Sequence, residues 1–353
     1  MAMAPAPTRS ARFSLLRLFR FRLLTLLIVV TLIAVWLAWR FHREPISAAN
    51  VAQLQRLSEI KAPAIFKLVY SPDRSRVAFV GWETPVQIRE AVTFWPLGVE
   101  GPDRKLIQFA FSPDGDHVAL CENNTRAEII SRRQNRRFIL ETDDSQPDVV
   151  FSPDGKLLAT GGYTNAPKLW NVATGKFVRA FNRGGGRSGT TPVFSPDSKI
   201  LAIGDRNART TLFSVATGKQ LLTLPKRETQ ELMFHPSGKQ LAVAYCDGMV
   251  RLWEVPTGKL IAEQDSEAEE IYTLDWSPDG QLLATAGLNG DISIWDGQLI
   301  RLHRLPAPEW CISVKFSPDG TRLITAGGSG TDREQRSVTV WGIPPGLPRF
   351  LAR

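Results

Sequence analysis

Between residues 148 and 181 the chain reads DVVFSPDGKLLATGGYTNAPKLWNVATGKFVRAF. Short apolar runs alternate with polar, turn-forming clusters, and nowhere do apolar residues recur at helical spacing. The run before SPDG predicts a first strand and KLLATGG a buried second one. PKLWNV predicts a third strand ending on an aromatic, and KFVRAF an alternating fourth. In the first hairpin Pro153 presets φ, Asp154 tolerates the next turn position, and Gly155 supplies the left-handed one. ATGK makes the second tight turn. The segment is therefore expected to form four short antiparallel strands joined by hairpins.

The same pattern returns along the chain. FSPDG stands at 111–115, 151–155 and 316–320, and looser copies bring the turn serine to Ser71, Ser112, Ser152, Ser195, Ser277 and Ser317, with His235 in a degenerate HPSG copy. Successive spacings are 41, 40, 43, 40, 42 and 40 residues, a fixed period that marks a repeat architecture. An aromatic ends the third strand at Trp170, Phe213, Trp253 and Trp295, each 18 residues past the turn residue. In the last copy Trp341 lies 24 residues past Ser317, because GGSGTDREQR lengthens a loop. The second copy has Ile130 at this place, and the first is irregular: VQIREAV reads as its third strand and TFWPL as its fourth. A single four-stranded unit cannot bury both of its apolar faces. Stacking seven of them around an axis does so and leaves only short edges.

The period, the FSPDG and LW motifs and the ATGK and PTGK turns resemble the WD40 repeat family over residues ~50–345. The resemblance implies an all-β, seven-bladed WD40-type β-propeller, closed by an N-terminal strand from VAQLQRLSEI (51–60) in the blade that holds Trp341, with the C-terminal PRFLAR as competitor for that edge. The chain departs from the family in having one literal Trp-Asp pair, Trp295-Asp296, and no Gly-His dipeptide. The hydrogen-bonded tetrad associated with that His is therefore expected to be missing, leaving packing and turns to hold the blades. Ser198 and Arg74 replace the turn glycine, at a cost of about 1 kcal/mol each if the left-handed conformation is kept.

Charge changes the picture at the N-terminus. The net charge of +8 is concentrated in residues 1–49, which hold seven Arg and one acid, while the rest holds 36 basic and 34 acidic side chains. The body is near neutral, so the basic pI does not make it a nucleic-acid binder. Residues 23–39, LLTLLIVVTLIAVWLAW, carry no charge and as a helix would cover about 25 Å of a ~30 Å hydrocarbon core. Five Arg precede them, so the positive-inside bias predicts a single-pass anchor with a cytoplasmic N-terminus and an extracytoplasmic propeller. The rival is a cleaved signal peptide ending near Ser47-Ala48-Ala49. The expected organisation is a basic segment 1–22, a transmembrane helix 23–39, a linker 40–50, the propeller 51–345 and a tail 346–353.

Chemistry is sparse. Cys121, Cys246 and Cys311 form no CxxC pair and sit in apolar runs, as small buried hydrophobes do. The TGK triplets lack the Gly and the Ser or Thr of a phosphate loop. His42, His117, His235 and His303 are scattered, and most Asp residues belong to turns, so no catalytic, metal or cofactor site is expected. By the geometry of the family, loops from fourth to first and from second to third strands share one face. That face would gather Arg183, Arg187, Tyr272, Trp310, Asp332 and Arg333 as a protein-partner site. Arg132, Arg133, Arg136 and Arg137 form a second, basic patch, suited to solvent, to anionic headgroups or to an acidic partner. The function expected is a non-catalytic interaction scaffold; the alternatives are a small-ligand or glycan sensor and, more weakly, a propeller enzyme with an axial site.

Overall fold

The computed structural model describes residues 44–62, 65–72, 75–81, 84–91, 96–100, 106–122, 126–131, 133–142, 148–162, 166–181, 190–205, 209–289, 291–328 and 336–343. Pro45–Ile343 forms one compact unit; of the other, Met1–Glu44 with Pro344–Arg353, only Glu44 is described. The segment 23–39 and the tail 346–353 lie outside the described residues. Among the described residues no helix is long and apolar enough to cross a membrane.

Within the compact unit the described residues form an all-β, propeller-like fold, with a 3-10 turn at Val51–Gln53. Five four-stranded antiparallel sheets follow in chain order, each running from inner to outer strand without crossover. The third is typical, with Asp148–Phe151, Leu157–Gly161, Lys168–Asn171 and Phe177–Ala180 paired in succession. A further sheet holds eight strands. One half is Glu270–Trp276, Leu282–Leu288, Ile292–Asp296 and Arg301–Leu305; the other is Trp310–Phe316, Arg322–Gly328, Ser337–Gly342 and Gln55–Lys61. The halves meet at the bridge Leu288↔Trp310.

Inner strands touch in sequence, from Ile65–Tyr70 through Leu106–Phe111, Asp148–Phe151, Thr190–Phe194, Thr229–Phe234 and Glu270–Trp276 to Trp310–Phe316, which returns to Ile65–Tyr70. The N-terminal segment closes the ring as the repeat logic requires: Gln55–Lys61 pairs antiparallel with Ser337–Gly342. Apolar clusters fill the spaces between neighbouring sheets. Leu232, Phe234 and Leu241 pack with Ala202 and Leu212 of the preceding sheet, and Ile65, Leu68 and Phe79 pack with Ile324 and Val340 across the closure. Burial fades outwards. The second strand Gln240–Tyr245 is buried almost throughout, whereas Phe177–Ala180 and Gln220–Thr223 are largely exposed.

The turns explain why the motif recurs. Ser152 donates its hydroxyl to Asp154 Oδ1 (2.6 Å) and accepts the Leu157 amide (2.9 Å), while Asp154 Oδ1 accepts the Lys156 amide (3.1 Å). Ser195, Ser277 and Ser317 repeat this arrangement with Asp197, Asp279 and Asp319. In the HPSG copy the roles are exchanged: the Ser237 amide donates to His235 Nδ1 (3.0 Å), and His235 Nε2 reaches the carbonyl of Gly280 in the next sheet (2.9 Å). A carbonyl only accepts, so Nε2 carries the proton. Ser198 keeps the left-handed turn conformation at φ 61°, and its hydroxyl accepts the Asp154 amide at 3.0 Å, which offsets part of the strain. Arg74 lies outside the described residues.

Two expectations need correction. The fourth strand of the first sheet, expected at TFWPL (93–97), is Pro96–Glu100, reaching further along the chain; residues 93–95 lie outside the described residues, and at Pro96, the strand's first residue, the missing N–H costs no ladder bond. The blades also do not rely on packing and turns alone. The indole N–H of Trp170, Trp295 and Trp341 donates to Thr160, Thr285 and Thr325 at 3.0, 2.9 and 3.0 Å, tying third strand to second without the missing His.

Candidate functional site

Each sheet presents its inner strand to the axis. Residues four before the turn residue are Lys67, Gln108, Asp148, Thr191, Glu231, Thr273 and Ser313, polar in every copy. Several bond across to the next inner strand. Ser313 Oγ accepts the Leu68 amide, Thr273 Oγ1 accepts that of Val314, and Glu231 Oε2 accepts that of Leu274, each at 3.3 Å. Lys67 Nζ donates to Gln108 Oε1 and, at 3.4 Å, to Asp148 Oδ1.

Two residues further along, the lining becomes apolar at Val69, Ala110, Val150 and Met233, then charged at Asp275 and Lys315. Together these residues border a cleft of about 570 Å³ that opens among Pro72, Pro113 and Pro153 of the hairpin turns. Lys315 Nζ donates to Asp275 Oδ1 (3.2 Å), and Asp275 Oδ2 accepts the Phe316 amide (2.7 Å). Burial pushes the carboxyls of Asp275 and Glu231 above the ordinary carboxylate range, with Lys315 pulling both back only in part. Burial also opposes the charge on Lys315, but the two carboxylates together outweigh it and raise its pKa. The arrangement can hold a ligand that has an apolar body and a hydrogen-bonding or charged head.

At the opposite end of the inner strands, Tyr272 and Trp310 stack with ring centroids 6.0 Å apart and planes at 26°. Both are half-buried and stand near the starts of adjacent inner strands, in the two halves of the eight-stranded sheet. The structure therefore brings together two of the six residues expected at a partner site. Arg183, Arg187, Asp332 and Arg333 lie outside the described residues. Of the basic patch, Arg132 is also outside. Arg133, Arg136 and Arg137 are exposed at the turn between the third and fourth strands of the second sheet. Two of these are engaged: Arg137 with Glu128, and Arg133 with Asp116, whose Oδ1 also accepts the Arg133 amide at 2.9 Å.

The axial ring was not among the sequence-derived candidates. Its residues share no identity, but the position four before the turn is polar in all seven copies, and that regularity could have revealed it. Among the described residues no group of His, Cys, Asp and Glu is placed to hold a metal ion.

Comparison with known proteins adds kinship. The family model "WD domain, G-beta repeat" matches residues 142–171. The model "Eukaryotic translation initiation factor eIF2A" matches 191–289 and 268–344. WD repeat and SOCS box-containing protein 1 of Homo sapiens is 30% identical over 108 residues, covering 29% of this chain and 24% of the relative. WD repeat-containing protein VIP3 of Arabidopsis thaliana is 30% identical over 116 residues, covering 28% of this chain and 36% of the relative. Jouberin of Mus musculus is 31% identical over 102 residues, covering 27% and 10%. In each case the chain spans well under two thirds of the relative's length. The repeat model and these relatives support the WD40 repeat family for this propeller-like chain.

Proposed function

We propose that the chain is a seven-bladed propeller, the eight-stranded sheet being two blades joined at Leu288↔Trp310, and that it serves as a non-catalytic protein-docking platform. In this reading residues 23–39 anchor it in a membrane, with the N-terminus cytoplasmic and the propeller extracytoplasmic. The carrying observation is the half-buried Tyr272–Trp310 stack, because paired aromatics at the mouth of a rigid scaffold offer apolar area at little entropic cost. From their place in the repeat, we assign Arg183, Arg187, Asp332 and Arg333 to the same site. The WD-repeat relatives favour protein partners over substrates.

The test is a cross-linked pull-down of the full chain from membranes, beside Trp310→Ala alone and combined with Arg183→Ala and Arg187→Ala. A thermal melt of each variant confirms folding. A stoichiometric protein lost on folded Trp310→Ala supports the reading; a partner that stays bound to every folded variant moves the site elsewhere. A second reading, a small-ligand sensor, is favoured by the axial cleft with its apolar wall and its Asp275–Lys315 pair. It predicts ligand-induced thermal stabilisation that Lys315→Met removes and Trp310→Ala leaves intact.

A further inference from the structure

The hairpin-turn end of the propeller is basic along one arc. In the third, fourth and fifth sheets, both turns of each sheet end in lysine: Lys156 and Lys176, Lys199 and Lys219, Lys239 and Lys259, all exposed. Against these six stand three carboxylates in the same turns. Asp154 and Asp197 are tied down by their turn serines, and Glu254 accepts the Thr257 hydroxyl. The two ion pairs these aspartates make, Lys156–Asp154 and Lys199–Asp197, are 3.7 Å long and exposed, so they neutralise little. Arg136 extends the arc into the second sheet, where Arg133 is paired with Asp116. The turns of the eight-stranded sheet carry Gln281, Ile300 and Thr321 at the corresponding places, so the run of turn lysines stops at the fifth sheet.

Beside these lysines, where the outer strands begin, stand exposed apolar side chains: Phe177 (54% exposed), Leu221 (51%) and Leu260 (37%). The rim is continuous from sheet to sheet. Gly175 lies against Phe138, Arg179 donates to the Ala216 carbonyl at 2.8 Å, and Gly258 lies against Leu222.

The chain also joins the compact unit at this end. Buried Ile46 donates its amide to the carbonyl of Gly320, in the hairpin turn of the last inner strand, at 2.8 Å.

We propose that this arc lies against an anionic lipid surface. The lysines contact headgroups and Phe177, Leu221 and Leu260 dip among them, leaving Tyr272 and Trp310, at the other end of the inner strands, to face away. Lysines near an anionic surface attract it cooperatively, and apolar side chains beside them add burial. The orientation rests on the reading of residues 23–39 as a membrane segment.

The test uses the full chain carrying Cys246→Ser, reconstituted into vesicles of phosphatidylcholine alone or mixed with phosphatidylglycerol. One donor dye is placed at Thr217→Cys in the hairpin turns, another at Glu269→Cys at the opposite end, and the acceptor is a headgroup-labelled lipid. Energy transfer from the Thr217 site is expected to exceed that from Glu269 in both lipids and to rise with phosphatidylglycerol. High salt, or Lys176→Gln with Lys219→Gln and Lys259→Gln, should remove the rise. Equal transfer from both sites, or no response to lipid charge, overturns the proposal while leaving the anchor intact. Failure of the full chain to float with vesicles after an alkaline wash overturns the anchor and this orientation with it. A response to added polyglutamate but not to lipid charge makes the arc a protein-docking surface and sinks the lipid assignment.

Discussion

Replacing Trp295 by Phe removes one hydrogen-bond donor and part of one ring from a site that is 1% exposed. The indole N–H donates to Thr285 Oγ1 at 2.9 Å, and Thr285 is itself 1% exposed. Two costs follow. The smaller ring leaves a cavity worth roughly 1 kcal/mol, and the Thr285 hydroxyl loses its indole partner at about 1–3 kcal/mol. Thr285→Val alone keeps the shape and strands the indole N–H, again at about 1–3 kcal/mol. The double variant leaves neither group stranded. Its destabilisation should therefore fall short of the sum of the singles by at least about 2 kcal/mol, the two stranding costs together. The assay is urea unfolding of the four proteins followed by far-UV circular dichroism, with hydrogen exchange at Leu282–Leu288 and Ile292–Asp296 to confirm that the loss is local. Additivity within about 0.3 kcal/mol would refute the claim that this bond joins second strand to third.

Gly287→Ala would place a Cβ 1.8 Å from the Glu270 carbonyl oxygen and 2.8 Å from Ile271 Cα, so the backbone must move; a loss of at least about 2 kcal/mol is expected in a thermal melt. Lys315→Met leaves Asp275 buried without its cation. It should cost about 3–5 kcal/mol at neutral pH, less in acid, with recovery in the double variant Lys315→Met with Asp275→Leu. The Ser195 hydrogen bond holds the Asp197 carboxyl below the ordinary range; at Asp114, Asp154 and Asp319 burial pushes upward but the turn serine and the turn amides outweigh it. These lowered values give stability that is present above about pH 4 and lost as pH falls through them, whereas the raised Asp275 and Glu231 act in the opposite sense, losing their contribution as pH rises. Asp154→Asn with Asp197→Asn should thus flatten the acid limb of unfolding midpoint against pH; an unchanged limb would remove the turns as its cause. Burial pushes the Cys311 thiol up to about 12, and Cys121 is equally buried, so native alkylation should modify Cys246 alone, as counted by intact mass.

The repeat was legible because its signal is local. Ser152 and Asp154 stand two residues apart, their bonds close within a single turn, and every copy has to solve the same steric problem. The closing strand was legible for a different reason: a period of four strands left one place vacant beside Ser337–Gly342. The axial ring hid because its members are far apart and chemically unlike. Lys67, Gln108 and Asp148 span 81 residues and converge only when three sheets stand side by side. The Trp–Thr bonds hid because Trp170 and Thr160 sit in separate strands whose register, not their spacing in the chain, makes them neighbours. Of the partner site, Tyr272 and Trp310 could be chosen by chemistry and position, but their stacking depends on the bridge between the two halves of one sheet.

The clasp formed by Gln55–Lys61 and Ser337–Gly342 makes assembly wait on synthesis. Its partners lie some 280 residues apart in the chain, so the first strand made is among the last to be paired. Until the final strand emerges, Leu57 and Ile60 have no sheet to join, and Ile65 and Phe79 lack the core they share with Val338 and Val340. Earlier sheets can form as they appear, but the circle locks in a single late event. A nascent chain stopped before Ser337 would hold a nearly complete propeller with an open seam, exposed to pairing with another copy's strand.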